Sequence, residues 1–383
     1  MSAPSRFDAD PGRLRERLAD LPGLERIVAA AGDSRVYLVG GAVRDLLLGC
    51  DRADLDVVVE GDAAALAAAL DGESVAQDRF ATARVTLDGV EYDLATARTE
   101  SYPRPGALPD VRPASLADDL ARRDFAINAM AVPLGDARLI DPHGGLGDLA
   151  AGVLRVLHER SFVDDPTRTL RAARYAARFG FAVEPRTEAL ARCADLSTVS
   201  EDRVEAELMR LAGEPRARRG FELLSEWGLI ELPEDGGAFI DAVGRLVDEP
   251  PWEGTVDRAL AIHAAATGHA PGAAGRVHDL LSGARELAGT APARPSEAVA
   301  AIRGRGEVEL LLARALDAEW LDRYMTEWRH IGLEITGMDL MAAGVPEGPD
   351  VGRGLEEALR RKLDGEIKGR EEELRVALDA ARG

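Results

Sequence analysis

The stretch from residue 37 to residue 60 admits few folds. Tyr37-Leu38-Val39 forms a short apolar strand that stops at Gly40-Gly41. A helical stretch bearing Arg44 and Asp45 follows, and Asp54-Leu55-Asp56 opens a second apolar run that ends at Glu60. Side chains two apart on a strand project to the same face, so Asp54 and Asp56 share one. Two such carboxylates can share divalent cations, which take hard oxygen ligands. A glycine pair lets backbone come close to a phosphate, with an amide at Gly41 and a guanidinium at Arg44 to receive it. Asp45 is placed to orient Arg44 or to cap the helix. An Asp-x-Asp alone is common on solvated strand edges. With the Gly pair and the Arg ahead of it, the set describes metal-assisted nucleotidyl transfer.

Strand and helix patterns alternate up to about residue 157. Leu14, Leu18, Leu21, Leu24, Ile27 and Val28 recur at helical spacing, broken by Pro22, and residues 63–70 predict a helix. Residues 83–87 and 91–94 flank Asp88-Gly89, a hairpin signal. Asp93, on the second arm, is either a third carboxylate brought to the same metals by a neighbouring strand or an ordinary solvent-facing residue. Pro103, Pro105, Pro109 and Pro113 make residues 101–118 read as a long mobile loop. Beyond residue 157 the pattern is helical. Asp165 can cap a helix with Pro166 in its first turn and Gly180 at its end. Further helices are predicted near 187–196, 201–212, 216–228, 237–247, 255–267 and 274–287, then a linker at 289–295 and three or four more helices.

Several further blocks carry a resemblance. Arg122-Arg123-Asp124-Phe125-Ala126-Ile127-Asn128-Ala129, then Asp141-Pro142-His143-Gly144-Gly145 with Asp148-Leu149, follow the first motif in order. Asp164-Asp165-Pro166-Thr167-Arg168, Ser200-Glu201-Asp202-Arg203-Val204 with Glu207-Leu208, and Ile335-Thr336-Gly337-Met338-Asp339-Leu340 come after them. From about residue 36 onward the chain resembles the class II tRNA nucleotidyltransferase/poly(A) polymerase family. Asp164, Ala126 and Ala97 stand where that family commonly has Glu, Thr and Phe.

The resemblance implies an α+β fold: a polymerase β-like nucleotidyltransferase α/β head followed by all-α neck, body and tail. The corresponding divisions are an N-terminal helical segment at 1–32, the head at 33–157, the neck at 158–230, the body at 231–319 and a tRNA-binding tail at 320–383. It implies a two-ion Mg²⁺ site on Asp54 and Asp56, with Asp93 as a further catalytic candidate. It also implies nucleotide contacts from Gly40, Gly41, Arg44, Arg122, Arg123, Asn128, Asp165, Arg168, Arg171 and Arg174. Of Arg122 and Arg123, one can reach phosphate while the other pairs with a carboxylate. Asn128 can hold a ribose hydroxyl or satisfy backbone groups. Asp165 and Arg168, three apart, share a helix face. An acceptor beside a donor fork suits the Watson–Crick edge of cytosine or adenine and not that of guanine or uracil. Arg171 and Arg174 lie further along that helix, within reach of phosphates or in a salt-bridge ladder.

The implied activity is template-independent addition or repair of the tRNA 3′-terminal CCA from CTP and ATP. An A-adding enzyme and a poly(A) polymerase are the alternatives, and the length of the 101–118 segment favours competence for terminal A addition. A catalytically silent RNA-binding protein is disfavoured by the intact acidic and arginine set, and transfer to a small molecule by the long helical half.

Composition constrains the partners less. A net charge of −21 over 383 residues argues against nucleic acid only if charge is spread evenly, since phosphate contacts need local basic surface. Basic clusters do occur at residues 155–178 and 216–219. Another lies near the end, where the two lysines, Lys362 and Lys368, accompany Arg360, Arg361 and Arg370. No apolar run spans a bilayer, no signal-peptide pattern is visible and no obligate protein partner is indicated. Cys50 and Cys193 have neither zinc nor redox spacing, which predicts packing roles and a cytoplasmic setting. His278-Asp279, with His263 and His269 nearby, reads better as a polar pair on a helix than as a metal site.

Overall fold

The computed structural model describes residues 11–49, 55–70, 73–77, 82–136, 138–268 and 275–383. Its chain divides into two compact units, Met1–Leu229 and Ile230–Gly383.

The first unit begins with α1 (Pro11–Ala19) and α2 (Leu24–Ala31), separated at Pro22 as predicted. Then come β1 (Arg35–Val39), α3 (Gly41–Leu48), β2 (Leu55–Glu60), α4 (Ala63–Ala69), β3 (Glu73–Gln77), β4 (Thr82–Leu87) and β5 (Val90–Thr96). The β4–β5 turn uses Asp88 and Gly89 at φ 51° and 83°, the left-handed pair that a two-residue hairpin requires. β3 carries no sequence signal of its own; it completes the sheet by pairing with β4.

Residues 101–118 are not the loop that their prolines predict. β6 (Arg98–Ser101) and β7 (Asp110–Pro113) pair from Arg98↔Pro113 to Ser101↔Asp110, and α5 (Leu116–Ala121) follows, started by a Ser115/Asp118 capping box. Three of the prolines fall in the connection at 102–109. Pro113 ends an edge strand, where a missing N–H costs little.

After β8 (Ala131–Pro133), six described strands form one sheet in the order β3-β4-β5-β2-β1-β8. All neighbours are antiparallel except β2 and β5, which run parallel from Leu55↔Tyr92 to Val59↔Thr96. That one parallel pairing positions the site. On one face, Tyr37, Val39 and Val58 pack against Ala97, Leu116, Leu120 and Ala131. The unit closes with α6 (Gly145–Ala151), β9 (Val153–Leu154), α7 (Ser161–Asp164), α8 (Thr167–Phe179), β10 (Ala182–Val183), α9 (Pro185–Ala191), α10 (Glu201–Ala212) and α11 (Ala217–Glu226). Cys193, expected to pack, is exposed; Cys50 lies outside the described residues.

The second unit is helical: α12 (Gly236–Val247), α13 (Arg258–Thr267), α14 (Gly275–Ala288), α15 (Pro295–Ala301), α16 (Glu307–Ala315), α17 (Trp320–Thr326), α18 (Gly337–Ala342), α19 (Pro349–Leu363) and α20 (Gly369–Arg382). Six of these follow residue 294, more than expected, because short α15, α17 and α18 divide what reads as longer periodic runs. Trp252 is fully buried and donates Nε1–H to Asp322 at 2.9 Å. Leu340, Ala358, Val376 and Ala377 form a core between α18, α19 and α20.

Four of the five C-terminal basic residues are committed within this unit. Arg360 and Arg361 both reach Glu357, at 2.8 and 2.7 Å; Lys362 reaches Glu373 and Arg370 reaches Asp339. His278 Nδ1 lies 3.2 Å from the Gly268 carbonyl oxygen. No described helix is long and apolar enough to cross a membrane.

Candidate active site

A cleft of about 1180 Å³ opens in the first unit over β2, β4 and β5, and α8 and α10 wall it. Among its lining residues are eleven arginines and eight carboxylates, a local cationic excess in a chain of net charge −21.

The acidic floor comes from the sheet. In the parallel β2–β5 register Asp56 stands directly opposite Asp93, so a neighbouring strand does bring Asp93 beside the Asp-x-Asp carboxylate. Asp54 lies outside the described residues. Arg84, opposite Asp93 across the antiparallel β4–β5 ladder, donates Nε–H and NH2–H to its two oxygens at 2.7 and 3.0 Å. Asp56 and Asp93 supply the hard oxygen donors that a divalent cation takes, on adjacent strands at one cleft, and this donor set fits such an ion.

The glycine turn sits at the end of β1. Gly40 takes φ 66°, a left-handed conformation that favours glycine, and the Arg123 guanidinium lies against it. Arg44 is buried. Its Nε–H goes to Asp45 at 2.8 Å and NH1 to Asn128 Oδ1 at 2.6 Å, and the guanidinium lies 5.1 and 4.8 Å from the ring centroids of Tyr175 and Phe179 on α8. Asp45 therefore orients Arg44, one of the two roles expected of it. Arg44 also bonds α3 to the helix across the cleft.

Arg122 and Arg123 do not divide as expected between phosphate and carboxylate. Both close on one fully buried carboxylate, Asp119: Arg122 donates to Oδ1 at 2.6 and 3.1 Å, Arg123 to Oδ2 at 2.9 and 3.2 Å. Arg122 also reaches Glu100 at 2.7 Å. Burial opposes the charge of Asp119, but Arg123 and Arg122 outweigh it and hold the carboxyl below its usual range. Asp124 behaves likewise. It is buried, accepts two bonds from Arg171 at 2.6 and 2.9 Å and one from Asn128 at 2.9 Å, and these with Arg168 overcome desolvation and keep it well below the ordinary carboxylate range.

Asp165 and Arg168 line the same cleft without facing one another as a helical pair. Asp165 precedes α8 in extended conformation (φ −135°, ψ 94°), so the three-residue helical spacing does not apply. Its Oδ1 accepts from Thr167 and from Arg203 NH2 at 2.9 Å. Arg168 is buried beneath the 122–123 backbone, giving NH2 to the Arg122 carbonyl at 2.8 Å and NH1 to Ser161 Oγ at 3.0 Å. Arg203 NH1 also holds the Gly106 carbonyl at 3.0 Å, which ties the 102–109 connection to Asp165. Arg171 and Arg174, offered for phosphates or a ladder, are engaged as a ladder: Arg171 with Asp124, Arg174 with Glu207 and Glu214 at 3.4 and 3.5 Å. Burial pushes Tyr102 up to about 12, so it stays protonated and bonds Glu100 while receiving Arg168.

Sequence reasoning missed Asp119, Arg203 and Glu207. For Asp119 a signal existed, since Arg122 and Arg123 lie three and four residues on and share its helix face. Arg203 belongs to the block that starts at Ser200, but its reach to Asp165 and Gly106 is tertiary.

The Poly A polymerase head domain matches residues 36–155. The CC-adding tRNA nucleotidyltransferase of Deinococcus radiodurans is 37% identical over 373 residues, covering 92% of this chain and 91% of that one. The A-adding tRNA nucleotidyltransferase of Halalkalibacterium halodurans is 43% identical over 213 residues, and there the match spans only 50% of the relative and 52% of this chain. Among solved structures, the apo form of a CCA-adding enzyme matches with TM-score 0.82 at 30% identity, covering 97% of this chain and 98% of that chain. The Thermotoga maritima CCA-adding enzyme complexed with tRNA matches with TM-score 0.76 at 29% identity, covering 96% and 98%. With the motifs in order and the Deinococcus match running the length of both proteins, this chain belongs to the class II tRNA nucleotidyltransferase/poly(A) polymerase family.

Proposed function

We propose that this protein adds nucleotides to the 3′ end of tRNA, building or repairing CCA from CTP and ATP without a nucleic-acid template. The observation that carries the reading is the facing of Asp56 and Asp93 on parallel strands at the floor of an arginine-walled cleft. Asp54, Asp56 and Asp93 would hold two Mg²⁺ ions, which when bound supply the positive charge that activates the RNA 3′-hydroxyl and neutralises the triphosphate.

The protein's own groups do the rest. The Gly40-Gly41 turn leaves space for a triphosphate, and Arg44, fixed by Asp45 and Asn128, presents its charge there. Asp165 offers a carboxylate acceptor and Arg168 a guanidinium at one wall, matching the exocyclic amine and ring acceptor that cytosine and adenine share. Arg203 holds Asp165 in place. Because Arg171 and Arg174 are already paired with carboxylates, and Arg168 is held by the Arg122 carbonyl and Ser161, the side chains of this wall are oriented before nucleotide arrives, which favours a protein-set choice of base.

CC-only addition is the second reading, favoured by the name of the Deinococcus relative, which spans nearly the whole chain. One assay separates them. Purified protein is given tRNA ending before CCA, after the first C and after CC, with each NTP singly and together, and the 3′ ends are sequenced. CCA completion supports the first reading, arrest after CC the second. Absence of CMP and AMP incorporation, or equal use of UTP and GTP, refutes both.

A further inference from the structure

Arg84 occupies an unusual place for a cross-strand ion-pair partner. It stands opposite Asp93 in the β4–β5 ladder and closes a two-bond fork on both carboxylate oxygens, at 2.7 and 3.0 Å. The same carboxylate faces Asp56 across the β2–β5 pair. Arg84 and Asp93 thus line the cleft together, at the floor where a divalent cation would take oxygen ligands. Their side chains are 56% and 46% exposed, so the pair is open to solvent. An ion pair this open is weak, and a guanidinium on a flexible stem can leave it at small cost.

Resting on the assignment of Asp56 and Asp93 as metal carboxylates, we propose that Arg84 is a placeholder cation. It neutralises Asp93 before a divalent ion arrives and gives way when one binds. Metal and guanidinium then compete for the same two oxygens. The site binds its ion more weakly than its carboxylates alone would, and ion binding releases a guanidinium into the cleft. A pair serving only strand register would stabilise the hairpin and leave ion affinity untouched.

The test measures Mn²⁺ binding to the full chain, without nucleotide, by electron paramagnetic resonance at fixed ionic strength, alongside thermal unfolding. Arg84→Gln is expected to tighten Mn²⁺ binding roughly three- to tenfold by removing both the competing fork and the nearby positive charge. Arg84→Lys, which keeps the charge and loses the fork, falls between. Unchanged or weaker Mn²⁺ binding in Arg84→Gln overturns the proposal and leaves the metal assignment standing. If Asp56→Asn leaves wild-type Mn²⁺ binding unaltered, the metal assignment itself fails and takes the proposal with it.

Discussion

Asp119 is the carboxylate on which the arginine arrangement of the head depends, and replacing it by Ala has a calculable consequence. Its two oxygens take four bonds from Arg122 and Arg123, and the side chain is fully buried. Removing one partner of a buried ion pair commonly costs about 3–5 kcal/mol, because the other charge is left uncompensated. Here the arginine side chains remain 18% and 15% exposed and Arg122 keeps Glu100, which brings the cost to or just below the bottom of that range, about 2–3 kcal/mol. For a unit of this size each kcal/mol moves the midpoint by about 2–4 °C, which predicts a fall of about 5–10 °C. Trp227 is the single tryptophan of residues 1–229 and reports that unit, by fluorescence, in a background with Trp252, Trp320 and Trp328 changed to Phe. The pH dependence follows in sign. The folded-state pKa of Asp119 is depressed, so its contribution is complete above the unfolded value of about 3.9 and is lost as pH falls through the lower folded value. Asp124 acts in the same direction. Wild-type stability should therefore hold down to about pH 4 and decline below it, with a shallower decline in Asp119→Ala. A midpoint shift under about 2 °C would show that Arg122 and Arg123 are balanced without Asp119, and would refute the reasoning.

Asp56→Ala should abolish nucleotide addition with tRNA affinity and unfolding midpoint nearly unchanged; substantial turnover would remove the metal-carboxylate assignment. Arg168→Ala should lose preference for CTP and ATP over UTP and GTP together with rate, a loss on the order of 2–4 kcal/mol in transition-state stabilisation, read from kcat/KM for each nucleotide. Arg203→Ala releases both Asp165 and the Gly106 carbonyl, so nucleotide preference should relax while tRNA affinity stays constant; wild-type selectivity would mean that Asp165 needs no support. Gln at both Arg360 and Arg361 should leave the salt dependence of tRNA binding within one phosphate contact of wild type, a slope change under about 0.7, because both guanidiniums already serve Glu357. A larger drop would return that cluster to the RNA interface.

What the sequence disclosed was whatever is local in the chain. The Gly40-Gly41 stop, the Asp88-Gly89 hairpin, the α8 start at Pro166 and its end at Gly180 are each set by residues within a few positions, and all of them stand in the fold. The 101–118 segment misled because proline density reports only that a donor is missing. It cannot report that the connection at 102–109 absorbs three of those prolines while the flanking residues pair. Asp93 was legible as a candidate but not as a choice, since only the parallel β2–β5 register puts it opposite Asp56.

The cationic half of the site was harder to read, for a reason rooted in charge pairing. Residues 155–178 advertise arginines, and spacing alone leaves them free for phosphate. Two of them find partners far along the chain: Asp124 lies 47 residues before Arg171, and Arg174 is met by Glu207 and Glu214. A linear pattern cannot separate an arginine waiting for RNA from one already held by a distant carboxylate, and a net charge of −21 makes the second outcome common. The same surplus of acid supplies the carboxylates that hold the cleft's arginines. Arg44, Arg122, Arg123, Arg171 and Arg174 are each held by a carboxylate, so an incoming anion meets guanidiniums whose orientation has already been set.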